Sequence, residues 1–224
     1  MPSPLKFLIA LFAKDLSILG LKGGALAQAL LLGLVLIFLF SLAQEPGQTL
    51  SLQNAACVFW LSSLFGQVLI FNQLYALEEQ QATRTCLLLL PFSITWVYLA
   101  KTLTGLCLLL ISQSLFLPAS LIFLGQSLPA HSLALILYIL IIDLGICALG
   151  SLLGALAQGQ AARESLLSIL LFPLLTPLLL AGISLHTQAY SPTTSNWLSL
   201  ALACDAIFFS VCLWLFPFIY TDEA

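Results

Sequence analysis

The chain has 224 residues, of which 61% are hydrophobic and only 7% charged, with a net charge of −3. So few charges cannot give a soluble domain of this size the mixed ionic surface that keeps it dispersed; the chain is built for lipid, and nothing in its charge points to nucleic acid. The six cysteines (Cys57, Cys86, Cys107, Cys147, Cys204 and Cys212) form no Cys-x-x-Cys pair and lie mostly in apolar runs, where a thiol behaves as a small hydrophobe, so no redox motif or metal site is expected.

Residues 3 to 20 come first and differ from the rest of the chain. Ser3, Lys6, Lys14 and Ser17 fall on one side of a helical wheel, with Phe7, Leu8, Leu11 and Phe12 elsewhere, which predicts a helix lying in the membrane interface, the other reading being an N-terminal extension of the first span. Asp15 falls off that polar stripe. Lys6, Lys14 and Asp15 interrupt the first apolar stretch and no small-residue cleavage site comes after it, so no cleavable signal peptide is expected. Six membrane spans are then predicted, at about 23–43, 53–74, 97–124, 133–157, 166–186 and 197–220, because each holds roughly the 20 apolar residues that cross a bilayer core. Together they make one all-α transmembrane domain over 1–224.

The hydrophilic breaks between spans set the orientation. With both termini cytoplasmic, Lys6, Lys14, Lys22, Arg84, Lys101 and Arg163 all fall at the cytoplasmic face, as the positive-inside rule requires. The break after the second span, EEQQATRTCLLLLP, is then cytoplasmic too. Thr83 can cap a short helix running into the leucines, and Pro91 ends it, because the residue before proline disfavours the helical region. That gives an amphipathic piece on the membrane surface, with Glu78, Glu79 and Arg84 in water, of a shape that can slot into a groove on a soluble partner, or else a plain solvated loop.

Two carboxylates, Asp143 and Asp205, fall inside spans. Each should face a cavity or a partner helix, hydrogen-bonded to Ser, Thr or Gln, or else sit protonated in a packing role; no Lys or Arg lies at matching depth to pair with them. Pro173 and Pro177 stand one turn apart in the fifth span. Each removes a backbone donor, so a kink or a local unwinding is expected there, either along a transport path or as a passive bend. His131 and His186 come to the external face, which raises axial haem ligation, although their separation in sequence argues against it. Trp60, Trp96, Trp197 and Trp214 are isolated and suit the interfacial belt or packing.

Equally informative is what the chain lacks. No Gly-x-x-x-x-Gly-Lys-Ser/Thr loop is present to cradle nucleotide phosphates, so ATP, if it drives this protein, is bound and hydrolysed by another chain. No His-Glu-x-x-His or Gly-x-Ser-x-Gly motif appears either, and neither catalytic residues nor a bound cofactor are expected.

LEEQQATRTCLLLLPFSITWVYLAK, from Leu77 to Lys101, resembles the cytoplasmic segment and third span of the haem exporter protein B family (CcmB), the permease subunit of an ABC-type complex in cytochrome c maturation. SLLSILLFPLLTPLLLAGIS, from Ser165 to Ser184, is similar to a second segment of that family, both prolines included. The resemblance implies an ABC-2-like permease in the bacterial inner membrane. It also implies three partners: an ATPase subunit near Glu78, Glu79, Arg84, Pro91 and Lys101, a haem-handling membrane subunit and a haem chaperone. Ala82, where the family has glycine, and Arg84, where an apolar residue is common, depart from the pattern and imply a differently shaped turn. Two other readings of the residues stay open: a secondary transporter using Asp143 or Asp205 as a proton site, and a non-transporting membrane scaffold.

Overall fold

The computed structural model describes residues 4–22, 24–45, 50–80, 83–89, 91–129, 131–158, 163–190 and 196–222. All regular structure among them is helical: α1 (Pro4–Ser17), a π-helical turn (Ile18–Lys22), α2 (Ala25–Leu42), α3 (Leu52–Gln80), α4 (Thr83–Leu88), α5 (Ile94–Phe123), α6 (Ser132–Leu156), α7 (Arg163–Gln188) and α8 (Trp197–Asp222). Six of these, α2, α3, α5, α6, α7 and α8, are long and apolar enough to cross a membrane. They coincide with the six expected spans to within a few residues, except that α3 runs on to Gln80. At about 1.5 Å per residue, α3 and α5 reach roughly 45 Å, well beyond the ~30 Å hydrocarbon core, so their ends project into the interface.

Local chemistry sets the ends. Gly24, at φ 70°, turns the chain out of the π-helical segment into α2. Pro91 precedes Ser93, the N-cap of α5, whose hydroxyl accepts the Thr95 amide at 3.4 Å. At the other end of α5, Gly125 takes φ 66° and the Gln126 amide returns to the Leu121 carbonyl at 3.0 Å, a Schellman closure. α7 remains α-helical through Pro173 and Pro177 instead of unwinding, and the Thr176 hydroxyl donates to the Phe172 carbonyl at 3.0 Å.

α3 is the centre of the bundle and packs against α2, α5, α6 and α7. Small residues let the helices come close, as apolar helices in lipid need, because there is no hydrophobic gain to draw them together. The Phe71 ring fills the space that a Cβ would need at Gly105 of α5 and at Gly150 of α6, and Tyr75 does the same at Gly154. Outward faces stay apolar for lipid: Leu31, Val35 and Phe38 on α2, Leu133, Ile136 and Leu137 on α6, and Ile207, Val211 and Trp214 on α8 are exposed. Trp60, by contrast, is buried at 1% exposure and belongs to the core.

Candidate functional site: a buried ion-pair network where α1 meets the last turn of α8

The polar residues of the bundle gather at two levels. The first lies where α1, the ends of α3 and α8, and the start of α5 meet. Lys101, about two turns into α5, is fully buried. A lysine so placed needs its counter-charge at hand, and two carboxylates meet it: Asp15 of α1 at 2.8 Å and Glu78 of α3 at 2.5 Å. The second oxygen of Asp15 pairs with Lys14 at 3.2 Å, and that of Glu78 accepts the Tyr220 hydroxyl of α8 at 3.1 Å. Every carboxylate oxygen of the two acids thus faces a cation or a hydroxyl. Removing Lys101 would strand two carboxylates in the interior, at a cost of about 3–5 kcal/mol.

Arg84 of α4 completes the set from the side. Its guanidinium donates to the Tyr220 carbonyl at 2.8 and 3.2 Å and to the Ile219 carbonyl at 3.2 Å, and it lies 5.0 Å over the Tyr220 ring. These carbonyls belong to the last turn of α8, where they lack helical partners and where the helix dipole favours a cation. α4 is therefore tied to the C-terminal end of α8. The expectation that Glu78 and Arg84 stand in water is corrected here: Lys101 beneath Glu78 and the open carbonyls beside Arg84 draw both inward. Glu79 lies in the last turn of α3, and its side chain is outside the described residues, as are Ala82 and the side chain of Arg163. What α4 and its exit do expose is Cys86, Leu89 at 82% and Pro91.

The second level lies midway along the bundle. Asp143 of α6 is fully buried and accepts from the Gln113 amide of α5 at 2.8 Å; the same amide reaches Ser63 of α3 at 3.2 Å. One turn along α6, Gln67 of α3 donates to the Cys147 thiol at 3.1 Å, and further on Tyr75 bonds Ser151 at 2.9 Å. A polar seam thus runs along α3 from Ser63 to Glu78. Asp205 of α8 occupies the space beside Gly145, which with Leu178 leaves no room there for a Cβ. Neither acid pairs with a cation among the described residues, in line with the absence of Lys or Arg at that depth.

At the far end His131 begins α6 in an exposed position, its amide bound to the Ala189 carbonyl at 3.0 Å. His186 is buried between the rings of Phe59 and Tyr190. That end brings the two histidines to one side of the bundle, but the His186 ring is enclosed by packing. No group of three or more metal-ligating side chains occurs among the described residues.

The CcmB protein family model matches residues 6–222. The chain belongs to the CcmB family. It is therefore a multi-pass membrane protein of an ABC permease family, a membrane component of the haem export system in cytochrome c biogenesis, and a transporter subunit. No curated protein matches the chain. The match takes in both levels of the polar network, from Asp15 to Tyr220, so within this CcmB chain the network joins the first matched helix to the last. Sequence reasoning singled out Glu78, Arg84 and Lys101 but missed Asp15, Tyr220 and Gln113. Asp15 had left a signal, its position off the polar stripe of α1.

Proposed function

We propose that this chain is the transmembrane subunit of an ABC-type complex for cytochrome c maturation, whose ATPase docks against α4 and the loop to α5. The observation that carries this reading is the mechanical anchoring of α4. A six-residue helix is too short to hold itself, yet this one presents Leu89 and Pro91 outward while Arg84 fixes it to α8. A short apolar ridge on a firm base suits a groove on a soluble protein. Its cytoplasmic placement rests on the six basic residues and the positive-inside rule, with both termini cytoplasmic in a bacterial inner membrane. The missing P-loop supports the reading that ATP is hydrolysed by the partner.

ATP-driven closure of that partner would push on residues 75–91, and the spans would relay the push to the external face. There a haem-handling membrane subunit and a haem chaperone would receive it, either as haem export or as release of the haem-loaded chaperone. Co-purification from detergent with the ATPase subunit, and then an ATPase assay, tests this. Leu89→Asp should lower recovery of the ATPase about tenfold, the loss of a single buried apolar anchor. Unchanged recovery would remove the ridge as the docking surface. A scaffold would co-purify but show no ATP dependence in cytochrome c yield.

A second reading, a proton-coupled transporter working through Asp143 or Asp205, is favoured by one observation. The second Asp143 oxygen and the Gln113 carbonyl are both buried without a hydrogen-bond partner. It predicts ion-coupled uptake in liposomes without ATPase, abolished by Asp143→Asn.

A further inference from the structure

We propose that Asp15 and Tyr220 are positioning residues for energy coupling: through Lys101 and Glu78 they pass a displacement of the α3–α4 segment to α1 and α8. The inference rests on ATPase docking at α4 and adds to it the route by which the push enters the bundle. Helices α1, α3, α5 and α8 meet within one buried cluster, with α4 at its side. Lys101 holds α1 through Asp15 and α3 through Glu78, Glu78 holds α8 through the Tyr220 hydroxyl, and Arg84 holds the same turn of α8 through its carbonyls. Asp15 is 4% exposed, Glu78 2% and Lys101 0%. A cluster like this does not stretch by degrees, because a charge drawn from its partner stays buried without a counter-charge, Lys101 having no exposed surface. The end of α3 therefore moves with α1, α5 and α8 as one body, or the cluster breaks outright, and both are discrete responses of the kind that relay needs.

α8 offers the onward path. It packs along α6, and at mid-bundle its Asp205 fills the gap beside Gly145. A tug on the last turn of α8 is thus felt at the level of Asp143, remote from α4. α1 offers the other path. It lies beside α5, and its Phe7 stacks at 4.6 Å on Phe92 in the bend that leads into α5, while its exposed Leu5 and Ile9 point away from the bundle. The push would tilt a helix that is seated in the membrane surface.

The test uses the whole complex with its ATPase and compares Tyr220→Phe, Asp15→Asn and the double variant with wild type. Tyr220→Phe removes one hydroxyl and keeps the ring under Arg84; Asp15→Asn keeps shape and leaves Glu78 on Lys101. The readout is cytochrome c matured per ATP hydrolysed, taken alongside the amount of ATPase recovered and the melting temperature. Each single variant is expected to lower the ratio about fivefold or more while the ATPase is recovered in full. The double variant should lose more than either single, because Asp15 serves the branch to α1 and Tyr220 the branch to α8. A ratio unchanged in both singles overturns the proposal, and so does a double variant no worse than the milder single. Loss of ATPase recovery in the variants alone would make these residues docking contacts and overturn it as well. If wild type recovers no ATPase, it is the docking reading that has failed, before any variant is compared. A variant that melts too early to assay is compared with wild type at a temperature below its melting point and judged by the same ratio.

Discussion

Two acids and a lysine share one enclosed space at the end of α3, and their neighbours decide what each substitution costs. Lys101→Met would leave Asp15 and Glu78 buried side by side with only Lys14 at the rim, so a loss of about 3–5 kcal/mol is expected, read as a lowered melting temperature in detergent. Adding Asp15→Asn and Glu78→Gln to it should restore most of that loss, since an interior without charge needs no pairing. Asp143 should behave differently. Asp143→Asn still offers Gln113 an acceptor and should change stability by under about 1 kcal/mol, whereas Asp143→Leu leaves the amide unanswered and should cost about 1–3 kcal/mol. Sequence showed that Glu78, Lys101 and Asp143 are out of place in apolar surroundings, but not who answers them. A partner across 86 residues, such as Asp15 for Lys101, depends on how the helices are arranged, which periodicity does not carry.

The helices themselves were legible because lipid imposes a length on them, and a run of apolar residues reports that length directly. Their ends were less so. α3 continues to Gln80 past the expected 74, because Glu78 finds Lys101 inside and does not need to leave the helix for water. Nor was the packing register legible, for it rests on which glycine faces which ring. Gly105→Ala should cost about 1–3 kcal/mol in thermal unfolding because its methyl would enter the Phe71 ring, and pairing it with Phe71→Leu should recover part of the loss. Gly145→Ala should push Asp205 and Leu178 aside and loosen α8 from α6; a proteolysis-resistant α8 in that variant would count against so tight a fit.

For the molecule as a whole, the even number of crossing helices puts α1 and the end of α8 on one side, and accessible thiols can assign that side. Cys86 is exposed on α4, while Cys147 and Cys212 are buried. A membrane-impermeant maleimide should label Cys86 in inverted vesicles and not in right-side-out ones, docked ATPase should protect it, and a Leu128→Cys probe should show the opposite sidedness. Labelling of Cys86 from outside would reverse the orientation inferred from the basic residues. The central place of α3 also bears on how the protein is made. It is the least apolar of the six spans and carries Ser62, Ser63, Gln67 and Glu78 on buried surface. It leaves the ribosome before Lys101, Gln113, Cys147 and Tyr220 exist to answer those groups. During synthesis α3 is therefore a poor guest in lipid, and must linger at the insertion machinery, or be shielded there, until α5 and α6 arrive to enclose it.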